Sequence, residues 1–163
     1  MGRRPQGEGG LKLRVLSVGR DRSAWFEPAV QGYASRLEHY TRFELTELTE
    51  PKGKRTAQTS RALEGKRILA ARRPSEVLVA LDEHGEQLNS LAFARLLGDS
   101  QVRSQNLLFV LGGDDGLDAL VLKAAARVVA LSALTLPHRL ARLVLVEQLY
   151  RGFTLLHGEP YHR

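Results

Sequence analysis

The segment Asn106–Leu111, in the second half of the chain, constrains the fold most strongly. After Asn106 it is an unbroken apolar run, Leu-Leu-Phe-Val-Leu, and two glycines follow at once. A short apolar run that ends on glycine is typical of a strand in the middle of a parallel sheet, because such a strand is covered on both faces. The sequence therefore predicts an α/β fold built around this strand.

Strands and helices are predicted to alternate on both sides of this segment. Further strands are expected over residues 11–18, 43–48, 76–82 and 128–131, with a turn at 83–85. Helices are expected over 23–40 and 90–97, capped by Ser23 and Ser90, and over 59–72, 112–126 and 137–157. This alternation indicates a mostly parallel sheet in one domain over residues 11–163. Residues 1–10, rich in Gly, Arg and Pro, are expected to be a disordered extension.

Composition excludes several classes of protein. The chain has no cysteine, which excludes a disulfide framework, a thiolate nucleophile and a cysteine-based metal site, and we expect no metal. No apolar run approaches the roughly 20 residues of a membrane span, so we expect a cytoplasmic protein. A net charge of +6 favours an anionic partner such as nucleic acid, although basic proteins without such a partner are common.

The carboxyl ends of the predicted strands are where a ligand is expected in an open parallel sheet. Segments 81–83, 112–116 and 132–138 follow strands in succession, so we predict that they wall one pocket. The predicted pocket residues are Leu81, Gly113, Ser132, Ala133, Leu134, Thr135, Leu136 and Pro137. The apolar segment 132–137 must be buried against something, and packing under the final helix is an alternative to a ligand.

The glycine-rich segment Gly112–Gly116 does not match a phosphate-binding loop. It lacks both the spaced glycines and the lysine of such loops, and Asp114 and Asp115 would repel a phosphate. A ligand with hydroxyls or a cationic amine suits it better. Alternatively, the two carboxylates simply complement the dipole of the next helix.

Cationic and aromatic residues cluster near the end of the chain. His138 and Arg142 share one face of the final helix, and Tyr161, His162 and Arg163 can fold back from the terminus. That combination suits a nucleotide with its phosphates, whereas His138 alone would be read as a helix cap. The basic stretch 51–55, together with the cations of residues 61–73, is either a solvated surface or a phosphate track.

The final helix is apolar nearly all round, from Leu140 to Leu156. One sheet face cannot cover all of that surface. The pattern favours a homodimer packed on this helix, and a central helix in a monomer is the alternative.

Several motifs together resemble the RlmH family of ribosomal RNA large subunit methyltransferases, which methylate N3 of a pseudouridine. The resemblance runs from Leu11 to Arg163. It is carried by Val110-Leu-Gly-Gly113 with Gly116, Leu131-Ser-Ala-Leu-Thr-Leu-Pro-His138, Arg142 with Glu147-Gln-Leu-Tyr-Arg151, and Pro160-Tyr-His-Arg163. Asp114-Asp115 and the first ten residues depart from the family pattern.

The resemblance implies a SPOUT-class α/β fold with a C-terminal trefoil knot and S-adenosylmethionine as methyl donor. It places cofactor contacts at Leu81, Gly113 and 132–137, and catalytic or RNA-facing groups at His138, Arg142, Tyr161, His162 and Arg163. The implied substrate is large-subunit ribosomal RNA, with the assembled ribosome favoured over free RNA. A non-catalytic RNA- or ribosome-binding module of the same fold is the alternative; an enzyme that uses another nucleotide is disfavoured by the missing phosphate loop.

Overall fold

The computed structural model describes residues 10–20 and 22–163, which form a five-stranded sheet covered by helices on both faces. Residues 1–9 of the predicted extension lie outside this range. The strands are β1 Lys12–Val18, β2 Arg42–Leu48, β3 Glu76–Gln87, β4 Asn106–Leu111 and β5 Arg127–Ala130. The helices are α1 Phe26–Leu37, α2 Ala57–Ala71, α3 Ser90–Val102, α4 Ala119–Ala124 and α5 His138–Leu156. None of these helices is long and apolar enough to cross a membrane.

The strand order is β2-β1-β4-β3-β5, and every pairing between these strands is parallel. The predicted α/β class and parallel sheet are confirmed. Strand β4 is central, and its side chains alternate between two cores. Leu107, Phe109 and Leu111 join the core under α1, α3 and α5. Leu108 and Val110 join the core under α2 and α4, which explains the unbroken apolar run.

Strand β3 is longer than predicted, and the expected turn at residues 83–85 is wrong. The register of β3 against β5 shifts between Leu81 and Glu86, and the chain then continues as a strand to Gln87. A Cβ at Gly85 would lie 2.7 Å from the carbonyl carbon of Val128. Gly85 therefore permits a close backbone approach at an irregularity in the sheet. In the sequence this irregularity resembles a turn, because glycine is common in both.

Helix α4 begins at Ala119, well after the predicted start at residue 112. Its N-cap is Asp118, whose carboxylate accepts a hydrogen bond from the Leu120 N–H at 2.9 Å. The preceding Gly112–Gly116 segment forms a tight turn instead, closed by the Gly116 N–H donating to the Gly113 carbonyl at 3.0 Å. Gly116 has a φ of +81°, which a helix does not accommodate.

Other helix limits also differ from the prediction. Asn89, rather than the predicted Ser90, caps α3 by accepting from the Ala92 N–H at 2.8 Å. The Ser90 hydroxyl donates to Gln148 on α5, and α3 runs to Val102 instead of stopping at 97. Helix α1 begins at Phe26 rather than 23, with Trp25 at the N-cap position and no side-chain cap. The predicted cap Ser23 lies before the helix, where its Oγ accepts from the N–H groups of Trp25 and Phe26, and the helix ends at Leu37 rather than 40. Helix α2 begins after the cap Thr56, two residues before the predicted start.

Candidate functional site

A cavity of about 560 Å³ lies at the carboxyl ends of β4 and β5 and beside the irregularity in β3 between Leu81 and Glu86. Its lining consists of residues 81–83, 111–116, 131–132 and 134–138, together with Ala141. The size is within the ordinary range for a small-molecule site. Because β3 pairs with both β4 and β5, the three predicted strand-end segments do meet around one space.

Seven of the eight predicted pocket residues line the cavity. The cavity is lined by Leu81, Gly113, Ser132, Leu134, Thr135, Leu136 and Pro137. Ala133 is exposed and does not contribute to the lining. The expectation that the apolar loop is buried is wrong for Leu134, whose side chain is 76% exposed beside the cavity.

One wall of the cavity is the Gly112–Gly116 turn. Gly112 is buried, and a Cβ there would lie 2.6 Å from the carbonyl carbon of Gly116. Because that contact is with a backbone atom, no rotamer change could relieve the overlap that a side chain at this position would create. The turn therefore brings two stretches of main chain together and offers a backbone surface to a ligand.

The loop after β5 forms the opposite wall and is held by two side-chain hydrogen bonds. Ser132 Oγ accepts from the Leu134 N–H at 2.9 Å, a local bond that replaces regular secondary structure. The Thr135 hydroxyl donates to Glu83 Oε2 at 3.0 Å, which ties the loop to β3. Pro137 then precedes α5, so the loop ends where His138 enters the cavity lining.

Acidic side chains dominate the charge of the cavity. Among the residues that the structure describes, the lining contains four acidic residues, Asp82, Glu83, Asp114 and Asp115, and one histidine, His138. This distribution repels phosphates and favours a cationic ligand that also carries hydroxyl groups. The sequence-based interpretation of the glycine-rich segment is consistent with this geometry.

Glu64 on α2 lies behind the glycine turn, and the sequence analysis did not identify it. Its side chain is buried, and Oε2 accepts a long hydrogen bond of 3.4 Å from the Gly113 N–H. Burial, together with the nearby Asp115, Glu50 and Asp114, raises the pKa of Glu64, although the Gly113 N–H acts in the opposite direction. The sequence around Glu64 shows no motif that would predict its contact with Gly113, 49 residues later in the chain.

Replacing Glu64 with glutamine tests this environment. Because the folded state holds the proton of Glu64 more tightly than the unfolded chain does, this carboxyl contributes stability at low pH and loses it as pH rises through the raised pKa. We expect Glu64→Gln to melt at a higher temperature than the wild type at pH 7.5, with the difference shrinking toward pH ~4.3, the ordinary value for Glu. Glu38→Gln, at an exposed position, is the control. A difference independent of pH in calorimetric melts would contradict the assignment.

Arg142 lies in the protein interior, between α5, α1 and β2. Only 2% of the residue is exposed, and Nη1 lies 3.2 Å from Glu27 Oε2 and 2.8 Å from Glu47 Oε1. Its buried Nε has no hydrogen-bond partner within the described part of the chain. The structure therefore places Arg142 in the interior, outside the cavity lining and one helical turn after His138.

The C-terminal tail is docked on its own chain. The Tyr161 hydroxyl donates to Glu147 Oε1 at 3.0 Å and lies 3.2 Å from the Tyr33 hydroxyl. The Tyr161 ring packs edge-on against Tyr150 and lies 4.7 Å from the Arg151 guanidinium. Burial, followed by the hydrogen bonds to Tyr33 and Glu147, raises the pKa of Tyr161, so its hydroxyl stays protonated at neutral pH.

The tail does not approach the cavity of the same chain. Glu147, which anchors Tyr161, follows His138 by nine residues along α5, a rise of about 14 Å. His162 and Arg163 are exposed; the His162 Nδ1 lies 3.3 Å from Arg151 Nη1. The five predicted catalytic or RNA-facing residues are thus divided between the cavity (His138), the interior (Arg142) and a distant surface (the tail).

Within residues 10–20 and 22–163, no group of three or more His, Asp or Glu side chains is arranged to hold a metal ion.

Comparison with known proteins relates this geometry to a family. The family model described as "Predicted SPOUT methyltransferase" matches residues 11–162. A protein of Anaeromyxobacter dehalogenans named "Ribosomal RNA large subunit methyltransferase H" is 48% identical over 153 residues, covering 94% of this chain and 100% of the relative. A protein of Trichlorobacter lovleyi with the same name is 40% identical, covering 93% and 99%.

Among solved structures, the SpoU methyltransferase AviRb from Streptomyces viridochromogenes, in complex with the cofactor AdoMet, is 16% identical to this chain. The likeness covers 87% of this chain and 58% of that chain, with a TM-score of 0.43. The family model spans nearly the whole chain, and relatives above 40% identity match along almost their full length. This chain belongs to the SPOUT methyltransferase family.

Proposed function

We propose that this protein transfers a methyl group from S-adenosylmethionine to N3 of a pseudouridine in large-subunit ribosomal RNA, with the assembled ribosome as substrate. The observation that carries the proposal is the acidic cavity beside three adjacent strands, in a chain of this family. The relatives named as ribosomal RNA large subunit methyltransferase H support ribosomal RNA as the acceptor. Within this proposal, pseudouridine is the target nucleoside, N3 is the methylated atom and the assembled ribosome is the substrate.

The cavity fits S-adenosylmethionine by chemistry and by shape. This cofactor combines a cationic amine and a cationic sulfonium with one carboxylate, ribose hydroxyls and an adenine ring, so its net charge is positive. The four lining carboxylates complement the positive charges, and Leu81, Leu111 and Leu136 supply apolar surface for the ring. The backbone at Gly112, which has no room for a Cβ, offers close polar contacts.

The chemistry needs a nucleophilic nitrogen in the acceptor. When bound, S-adenosylmethionine supplies an electrophilic methyl group. An imide N3 carries a proton that must leave before its electron pair can form the new bond to carbon. His138 lies in the cavity lining at the start of α5 and is suited to accept that proton as a general base. Positioning of the two reactants contributes the remainder of the rate enhancement.

The His138→Ala variant tests this role. We expect turnover to fall by roughly 100-fold or more, the usual effect of removing a general base, while affinity for S-adenosylmethionine stays within about twofold. His39→Ala, at an exposed position, is the matched control. Unchanged turnover, measured with ribosomes at saturation, would remove His138 from the mechanism.

The other predicted catalytic residues take different roles in the proposal. Arg142 is a positioning residue, since its ion pairs with Glu27 and Glu47 hold the first turns of α5 against α1 and β2. Tyr161, His162 and Arg163 contact RNA at the cavity of a second subunit, because their own cavity is too distant. We therefore propose a homodimer packed on α5, where Leu140, Leu143 and Val144 remain only half-buried in the single chain.

Mixed dimers test the shared site. One parent lacks residues 160–163, and the other carries Gly112→Ala and so has a defective cavity. With S-adenosylmethionine held below the wild-type Kd, each parent alone is expected to have little activity, but an equimolar mixture should regain about a quarter of wild-type activity, because half of the dimers are mixed and each has one complete site. A mixture as inactive as its parents would show that each chain builds its site alone.

Calorimetric titration with S-adenosylmethionine tests the cofactor site. We expect micromolar affinity and a defined number of sites per dimer. An absence of binding at millimolar ligand would overturn the enzyme proposal and favour a module that binds RNA without catalysis.

A further inference from the structure

Two loops at the carboxyl edge of the sheet carry exposed cations that the proposed mechanism does not use. The loop after β1 holds Arg20 and Arg22, and the loop after β2 holds Lys52, Lys54 and Arg55. All five side chains are exposed. We call these five residues the cationic ridge.

The fold brings the two loops together. β1 and β2 are neighbours in parallel register as far as Val18 and Leu48, and the Gly19 N–H donates to the Leu48 carbonyl at 2.8 Å. A Cβ at Gly19 would lie 3.0 Å from Glu50 Oε1, so the second loop passes directly against the first. Residues from separate parts of the sequence thus form one surface.

The cationic ridge lies beside the proposed cofactor cavity. In the order β2-β1-β4-β3-β5, the ridge follows the first two strands and the cavity lies beside the last three, on the same edge. Neighbouring strands are about 4.8 Å apart. A ligand chain that reaches the cavity from the β1 side therefore passes over the ridge.

The charges of the ridge are not neutralised by ion pairs within the described part of the chain. Two exposed arginines elsewhere are paired, Arg73 with Glu44 and Arg127 with Glu86. No such pair involves a ridge residue among residues 10–20 and 22–163. The acidic residues of the two loops are Glu50 and, in the sequence, Asp21, so the positive charge predominates.

Trp25 adds an unusual feature to this surface. It lies directly before α1, and 87% of the residue is exposed. Tryptophan is normally highly buried, so an indole this exposed leaves a large apolar face for a partner. Successive bases of single-stranded nucleic acid stack on aromatic side chains of this kind while cations hold the backbone.

We propose that the cationic ridge and Trp25 form an RNA-binding surface that holds the strand next to the methylated nucleotide, with the ridge on its phosphates and Trp25 against a base. The inference rests on the proposed function, since it names where the substrate of that reaction is held. In this proposal the acidic cavity binds the cationic cofactor, and the cationic ridge binds the RNA, which is a polyanion.

The test compares pairs of cations at the two ends of the same strands. Lys52→Ala/Lys54→Ala removes two ridge charges at the carboxyl edge, and Lys12→Ala/Arg42→Ala removes two exposed charges at the amino edge of β1 and β2. The measurements are sedimentation with unmethylated ribosomes, KM and kcat for methyl transfer at several salt concentrations, and the Kd for S-adenosylmethionine.

We expect the ridge pair to weaken ribosome binding and raise KM about tenfold, with a salt dependence reduced by roughly 1.4 in logarithmic slope, as for two contacts to single-stranded phosphates. kcat and the Kd for S-adenosylmethionine should not change. The amino-edge pair should behave as the wild type. Equal effects of the two pairs, or a ridge effect without a change in salt slope, would overturn the inference.

Trp25 is tested by Trp25→Ala against Trp25→Phe. The alanine variant should raise KM about tenfold and the phenylalanine variant much less, because a ring still stacks. If Trp25→Ala leaves ribosome binding intact but converts the protein to a monomer in light scattering, Trp25 packs on a second copy and the inference fails for it. Failure of the proposed function is distinguishable: the wild type would then bind ribosomes without transferring any methyl group.

Discussion

Replacing Gly112 with alanine is expected to weaken the binding of S-adenosylmethionine by roughly 10- to 100-fold. The new Cβ would lie 2.6 Å from the Gly116 carbonyl carbon and 3.0 Å from the Leu117 nitrogen, which are backbone atoms. The turn must shift to relieve that overlap, and overpacking of this kind costs roughly 1–3 kcal/mol. Because the turn forms one wall of the cavity, the shift changes the surface that meets the cofactor.

The matched control is Gly32→Ala in α1, where a Cβ meets nothing within 4 Å. Alanine is favoured over glycine in a helix, so this control should bind the cofactor as the wild type does and melt no lower. Calorimetric titration and thermal melts separate the two effects. If Gly112→Ala binds S-adenosylmethionine as tightly as Gly32→Ala, the cofactor does not use this wall.

Replacing Arg142 with methionine is expected to destabilise the fold by about 3 kcal/mol, toward the lower end of the range for breaking a buried ion pair. Glu27 and Glu47 would lose the cation that lies between them, and each is buried by about two thirds. In a chain of this size the melting temperature should fall by roughly 6–12 °C. Methionine keeps the side-chain volume, so the loss reports the charge rather than a cavity.

Neutralising one carboxylate as well should recover part of this loss. We expect Arg142→Met/Glu47→Gln to melt higher than Arg142→Met alone, since only one unpaired carboxylate remains. Arg95→Met on the exposed face of α3 is the control and should shift the melting temperature little. A melting temperature for Arg142→Met equal to that of the control would show that the ion pairs add nothing to the stability of the fold.

The pattern of apolar residues was sufficient to predict the sheet. Asn106–Leu111 alternates between two cores, and the strands around it have the composition of parallel strands covered by helices. Local competition was harder to predict. Asn89 and Ser90 are both good helix caps, and which of them caps α3 depends on Gln148, a partner on another helix. The sequence of Gly112–Gly116 does not distinguish a helix start from a tight turn, because glycine occurs in both.

The part of the candidate site that is formed by the ends of parallel strands was predictable from the sequence. Leu81, Gly113 and Pro137 follow from the rule that parallel strands present their carboxyl ends to a ligand. The contact of Glu64 with Gly113 and the ion pairs of Arg142 were not predictable in this way, since both depend on how α1, α2 and β2 pack across the sheet. Nor does spacing along the chain indicate that the tail docks at Glu147, far from His138.

The measurement that tests the central claim most directly is methyl transfer from radiolabelled S-adenosylmethionine to unmethylated ribosomes, followed by mapping of the label. We predict label in large-subunit RNA at one pseudouridine, detected as a stop in reverse transcription because a methyl group on N3 blocks the pairing edge. The His138→Ala protein should give no comparable signal. If the wild type binds S-adenosylmethionine yet leaves the RNA of ribosomes and of isolated large subunits unlabelled, the proposed reaction is wrong.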